Sequence, residues 1–327
     1  MKKVLIYVTA AAFVSQLGAC ALAVEKKEHA EADGKPEKKT TGWIFHRNAA
    51  KPTAAGQWAY IQELIQAGHT NKAAAECDML VRKWHDSSEA PQAQLLYARL
   101  LDENGSYDDA FEQYQYLVNW YAGTFKHDEV LEREFRIANH VLGSKRWFVL
   151  DSYETALPMF EKILRNGANW SKAPQVQFTI GHILEKLDRI DDAVKAFELV
   201  HMRYPESEYA PDAAYRRAAA LYSLAESATR DETAQRDALS CLTMTLRDYP
   251  NADLARDARQ QQEKLKNRLA DMYFDRAAFY DRIAGKPQAA VIAYTDFVRS
   301  FPKSDRTQAV QDRIDELNNS LEKKNDK

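Results

Sequence analysis

Residues 181–207 read GHILEKLDRIDDAVKAFELVHMRYPES, and within them Ala193 is followed by an aromatic residue, Tyr204, and then by Pro205 twelve positions on. The same interval returns at Ala238, Tyr249 and Pro250, and again at Ala290, Phe301 and Pro302. Carried toward the N-terminus, the frame finds Ala73, Ala110 and Ala156, with Trp84 and Tyr121 in the aromatic slot. Positions four and seven beyond an anchor fall on one helical face with it. At plus four stand Cys77, Tyr114, Phe160, Phe197, Leu242 and Tyr294; at plus seven, Leu80, Leu117, Ile163, Val200, Thr245 and Phe297. A small residue followed by bulky ones lets two helices approach and interlock. The chain is therefore expected to be an all-α solenoid of about six helix-turn-helix repeats.

Turn signals precede the anchors at Gly68, Gly105-Ser106-Tyr107, Asp188 to Asp191 and Gly285-Lys286-Pro287. The prolines that follow each second helix cannot continue it and are expected to open the next first helix. Anchors lie 37, 46, 37, 45 and 52 residues apart, against about 34 for a tetratricopeptide unit. The chain resembles that family with insertions. Gly181, Ala193 and Pro205 fill its glycine, alanine and proline slots. The wider gaps imply longer helices or loops around Gly143 to Tyr153 and Glu226 to Arg236.

Met1 to Cys20 opens with Lys2 and Lys3, runs apolar from Val4 to Val14, and ends Leu17-Gly18-Ala19-Cys20. That order resembles a bacterial lipoprotein signal peptide, residues 1–19, with Cys20 as the lipidated residue. The apolar run is shorter than the roughly 20 residues of a membrane span. A signal-peptidase site at Ala21-Leu22-Ala23 would instead release a soluble protein. Residues 20–56 read as a flexible tether, since Glu25 to Thr41 has almost nothing to bury. Gly42-Trp43-Ile44-Phe45 interrupts the tether and is expected to dock on the first repeat. The solenoid is placed at 57–321 and a polar tail at 322–327.

With 45 basic and 48 acidic residues the formal charge is −3, and no basic stripe appears, which argues against a nucleic-acid partner. Cys77 and Cys241 fall in repeats one and five. Packed helices sit about 8–10 Å apart, so these two are expected to be buried free thiols instead of a disulfide. His182 and Glu185 are one helical turn apart and could share a face, as could His85 and Glu89, but neither pair has a third ligand or HExxH spacing. GxSxG, GxxxxGK and CxxC are absent. Asp108-Asp109 and Asp191-Asp192 suit the first turns of second helices, where carboxylates meet the dipole. The expectation is a protein without enzymatic activity, cofactor or metal.

One stretch narrows the class. Tyr249-Pro250-Asn251-Ala252, Asp257-Ala258, Leu265-Lys266-Asn267-Arg268-Leu269-Ala270, Ala278-Phe279-Tyr280 and Phe301-Pro302-Lys303-Ser304 resemble, in order and spacing, the BamD or YfiO family of outer-membrane lipoproteins. On that alignment the chain has extra repeats on its N-terminal side and stops about one repeat early. The resemblance implies a lipid-anchored protein on the periplasmic face of the outer membrane. Its partners would be the barrel subunit BamA, other lipoproteins of the β-barrel assembly machine, and unfolded outer-membrane proteins. Carried onto this chain, Arg268 is the expected BamA contact. Tyr97, Phe178, His182 and Tyr215 on first helices are the expected lining of a peptide groove. The alternative is a periplasmic tetratricopeptide protein resembling the CpoB type, although no heptads appear between Glu25 and Gln57. A further rival, an envelope hydrolase, would rest on His182 and Glu185.

Overall fold

The computed structural model describes residues 49–144, 149–250 and 253–325. The signal-like segment, Cys20, the charged tract and Gly42-Trp43-Ile44-Phe45 lie outside the described residues, as do Asn251 and Ala252. Among the described residues there are thirteen α-helices and no strand. They are α1 (Ala54–Gln66), α2 (Thr70–Lys83), α3 (Ala90–Glu103), α4 (Tyr107–Trp120), α5 (His127–Gly143), α6 (Val149–Asn166), α7 (Ala173–Lys186), α8 (Ile190–Arg203), α9 (Ala210–Ser227), α10 (Glu232–Asp248), α11 (Ala255–Ala278), α12 (Pro287–Ser300) and α13 (Thr307–Asn325). A π-helical turn, Phe279–Ile283, extends α11. The helices form two compact units, Met1–Tyr97 and Ala98–Lys327, divided within α3.

All six anchor alanines sit on second helices and are fully buried. Of the twelve positions four and seven beyond them, ten are fully buried, with Tyr294 at 2% and Thr245 at 5% exposed. Repeat four shows what the frame does. A Cβ built on Gly181 would lie 2.5 Å from a ring carbon of fully buried Phe197, so only glycine lets α7 seat against that ring.

The inner turns behave as their residues dictate. Gly68, Gly105 and Asp188 take positive φ at 75°, 79° and 58°. The next N–H then returns to the helix in each case: His69 to the Leu64 carbonyl (2.8 Å), Ser106 to Leu101 (2.9 Å) and Arg189 to Leu184 (2.9 Å). This six-to-one closure satisfies carbonyls that the helix end would otherwise leave bare.

The outer turns differ from expectation. Pro205, Pro250 and Pro302 do not open the next helix; they lie in a turn before it, and α9 begins only at Ala210. The residue before proline is disfavoured in the helical region. Accordingly Tyr204, Tyr249 and Phe301 leave the helix at φ −134°, −130° and −130°. Trp84 and Tyr121 do the same at −130° and −126° without a proline. A short turn follows: Ser207 donates to the Tyr204 carbonyl and Ala210 to Ser207, and the same pair of bonds joins Trp84, Ser87 and Ala90, and Phe301, Ser304 and Thr307. Pro91, Pro174, Pro211 and Pro287 stand instead in the first turns of helices. In repeat three the aromatic slot is Gly167, because Leu131 fills the space a Cβ would need.

The wide gaps around Glu226 to Arg236 are taken up by longer helices, 18 residues in α9 and 17 in α10. Neither Cys77 nor Cys241 is in a disulfide and both are buried, and burial pushes the Cys241 thiol up from its ordinary value.

Within the N-terminal unit, fully buried Gln57 of α1 donates to the Glu76 carboxylate of α2 at 2.6 Å, bracing the helix pair above Ile61, Leu64 and Leu80. In the C-terminal unit each helix from α4 onward packs against its successor, and α9 also touches α11. Such nearest-neighbour packing is the solenoid pattern.

Candidate protein-docking surface

The exposed side of the first helices is the natural place for a partner in such an array. On α7, Phe178, His182 and Glu185 recur at intervals of four and three and so share a face. Arg216 of the next first helix, α9, meets them: its guanidinium donates to Glu185 Oε2 at 2.9 Å, and its central carbon lies 5.7 Å from the Phe178 ring centroid. His182 Nδ1 is 3.5 Å from the same carboxylate oxygen. The Phe178 ring reaches inward as well, 5.7 Å from Phe197 and 5.5 Å from Tyr209. The structure thus brings Phe178 and His182 together as half-buried neighbours, joined by Glu185 and Arg216.

Tyr215 is placed otherwise. Only 3% exposed, it belongs to the core between α9, α10 and α11, and its hydroxyl donates to the Tyr249 carbonyl at 2.6 Å. Its hydroxyl braces the residue before Pro250, and its side chain presents no surface to a groove. Tyr97 is half-buried on α3, in the N-terminal unit.

Arg268, in the LKNRLA stretch of α11, is engaged inside the protein. It donates to Gln235 Oε1 of α10 at 3.1 Å and pairs with Glu226 of α9. Gln235 is itself fully buried and donates to the Ala225 and Ala228 carbonyls at the end of α9. Glu226 is held below the usual carboxylate range by the Arg268 hydrogen bond. Three helices thus converge on one guanidinium.

A second polar surface lies across α3 and α5. Arg133 and Arg136 both donate to Asp102 Oδ2, the former at 3.3 Å, and the Asp102 side chain is 1% exposed. Beneath it the fully buried Tyr114 hydroxyl is pushed up to about 12 by desolvation. Asp102 and the two arginines, with Glu103, Glu132 and Trp170, border an open groove of about 780 Å³. Between α4 and α5, buried Glu134 accepts from Gln115 Nε2 at 2.8 Å, and desolvation pushes its carboxyl up to about 8, so it is mostly neutral at physiological pH.

His85 is not on a helix with Glu89: it lies in the turn after α2 and contacts Asp86 at 3.1 Å. Asp108-Asp109 and Asp191-Asp192 occupy the first turns of α4 and α8, as helix-dipole chemistry expects. Among the described residues no cluster of His, Cys, Asp or Glu could hold a metal, and no helix is long and apolar enough to cross a membrane.

Residues 214–326 match the model of the family described as YfiO, outer membrane lipoprotein. None of the curated proteins compared matches the chain. Among solved structures, the chain is similar to YrrB, described as a TPR protein with an unusual peptide-binding site, at 18% identity over 64% of this chain and 92% of that one, with a TM-score of 0.32. It is also similar to a thermophilic TPR protein of Thermus thermophilus, at 16% identity over 65% and 98% of the two chains, with a TM-score of 0.28. A third is the C-terminal part of a TPR repeat-containing protein from Cytophaga hutchinsonii, at 16% identity over 92% and 98%, with a TM-score of 0.32. The family match begins within α9 and takes in α10 to α13, including Arg268 and the π turn. Over residues 214–326 this chain is therefore similar to the YfiO family of outer membrane lipoproteins.

Proposed function

We propose that this chain is a lipid-anchored scaffold of the outer-membrane β-barrel assembly machinery, acylated at Cys20 and facing the periplasm. It acts by binding and handing on, with no bond made or broken. The observation that carries the reading is the YfiO match, which falls on the last helix pairs and on the long α11 with its LKNRLA stretch. In this reading the C-terminal repeats dock the BamA-like barrel subunit, and other lipoproteins of the machine join the same assembly. The face formed by Phe178, His182, Glu185 and Arg216 receives segments of unfolded outer-membrane proteins. A half-buried aromatic ring beside a guanidinium offers an extended peptide both apolar contact and a polar anchor. Arg268 acts in this scheme by fixing α9, α10 and α11 against one another, so the surface they present is preformed.

The test is purification of the tagged full chain from membranes in mild detergent. The reading expects acyl-modified Cys20 in the intact-mass spectrum and the barrel subunit among the co-purifying proteins. Recovery of the acylated protein without any barrel subunit would sink it.

A further inference from the structure

Trp120 stands outside the repeat frame. Ten residues beyond their anchor alanines the other five repeats carry Lys83, Asn166, Arg203, Asp248 and Ser300, all polar, whereas this one carries a tryptophan that is left 38% exposed. Tyr116, one helical turn before it on α4, is half-buried, its ring centroid 6.2 Å from those of both Trp120 and Tyr121. Trp120 and Tyr116 border a cleft of about 250 Å³ between α4 and α6. The facing wall is Lys162, Arg165 and Asn166, whose spacing of three and four puts them on one face of α6.

The polar lining of this cleft is fixed from within. Gln115, 7% exposed, donates through Nε2 to buried Glu134 at 2.8 Å and accepts from Asn166 Nδ2 at 3.2 Å. Each amide has a second N–H and a further carbonyl lone pair, so the two can still give and take hydrogen bonds. Lys162 is held by Glu112 at 2.8 Å and lies 5.7 Å from the Phe111 ring centroid. Asn119 and Arg165, both exposed, have no side-chain hydrogen bond or ion pair among the described residues.

Aromatic rings beside amides and an uncommitted guanidinium make the combination a sugar ring calls for. One face of a pyranose is a patch of C–H groups that packs on an aromatic ring, and its hydroxyls both donate and accept. The cleft answers both ways: its amides donate and accept, Arg165 donates, and Glu112 accepts. Its volume lies under the roughly 300–1,000 Å³ of sites for drug-sized ligands and suits a single ring. A bare anion would find Lys162 already paired with Glu112. An apolar segment would bury the amides of Gln115 and Asn166 without answering their remaining hydrogen bonds. We propose that the cleft between α4 and α6 binds one ring of a glycan, with Trp120 and Tyr116 against its C–H face and Asn119, Arg165 and the Gln115 and Asn166 amides on its hydroxyls. The site lies ahead of the family match at 214–326, so it gives the added repeats a ligand of their own, beyond the docking of proteins.

Calorimetric titration of the full chain, held in a detergent without a sugar headgroup, tests this with two probes. One is a tetramer of N-acetylglucosamine, the amino-sugar chemistry of cell-wall strands; the other is maltotetraose, the neutral-hexose chemistry of other envelope polysaccharides. Saturable binding of at least one is expected, and the preferred probe distinguishes the two sources. Trp120→Ala is expected to weaken that binding at least tenfold and Arg165→Ala several-fold, while Trp120→Phe, which keeps a ring, should retain most of it. Phe279→Ala, at an exposed ring on the π turn, is expected to leave it unchanged. Trp120, Arg165 and Phe279 are all exposed, so each variant should keep the wild-type melting temperature. If neither probe binds the wild-type chain, or if Trp120→Ala binds within twofold of it, the proposal fails. If neither probe binds and Trp120→Ala instead loses a co-purifying protein, the cleft is a protein contact and the proposal is overturned.

Discussion

Gly181 and Glu134 show how single residues set the tolerances of this chain. The ring of Phe197 lies where a Gly181 side chain would go, and Phe197 is fully buried, so the ring has nowhere to move. Gly181→Ala is expected to destabilise the C-terminal unit by about 1–3 kcal/mol, the usual cost of overpacking, read as a lower midpoint in urea with an unchanged slope. Glu134 gives a pH signature. Its folded-state value, about 8, lies above that of an exposed carboxyl, because burial disfavours the charged form. The unfolded chain therefore releases that proton first as pH rises. Stability from this group is complete below the unfolded value near 4.5 and is lost on the way to about 8, at no more than about 1.4 kcal/mol per pH unit. Glu134→Gln, which mimics the neutral form, should remove that part of the slope in denaturation curves between pH 5 and 8. An identical slope in the variant would show that Glu134 is already ionised. Neither feature is legible in the sequence as a constraint. The glycine's slot is visible in the repeat frame, but Gln115 and Glu134 lie 19 residues apart on different helices, and no local pattern announces their meeting.

At the scale of elements, the alanine frame carries far. The spacing of four and seven residues shared by the anchors from Ala73 to Ala290 marks buried positions because small and large residues must alternate wherever two helices interlock. The proline slots depart from expectation for a definite reason. The slot residue leaves the helix with or without a proline after it, as Trp84 and Tyr121 show, and the turn that follows is built on backbone bonds through Ser87, Ser207 and Ser304, and that serine spacing is the signal in the sequence that announces it. Tyr215 and Phe178 are equivalent in sequence, both aromatic on first helices. One is core and the other partly exposed because Tyr249 presents a carbonyl to the first and Arg216 a guanidinium to the second. Arg268 belongs to this scale too. Its partners are 33 and 42 residues away, beyond any local pattern. Arg268→Ala leaves the Oε1 of buried Gln235 without that donor, and since the Glu226 pair is largely exposed the loss should be about 1–2 kcal/mol. Because Arg268 holds the docking surface in shape, affinity for the barrel subunit, read by calorimetric titration of the detergent-solubilised full chain, should fall a few-fold in step with that loss of stability. A large loss of affinity at unchanged stability would make Arg268 a direct contact.

For the whole molecule, what counts is where matched and unmatched parts fall. The YfiO match covers residues 214–326, and the earlier repeats share the alanine frame without that family's motifs. A nearest-neighbour array can carry such added repeats because each contributes its own packing and one interface. In the proposed scheme partner docking belongs to the matched end, and substrate contact to α7 and α9 ahead of it or at its border. Site-specific photocrosslinking in living cells tests this most directly. With a photoreactive residue in place of Ile292 in the full chain, the expected result is an ultraviolet-dependent adduct that antiserum to the barrel subunit recognises. Absence of any such adduct, from Ile292 and from the exposed Phe279 and Ile283 alike, would contradict the scheme.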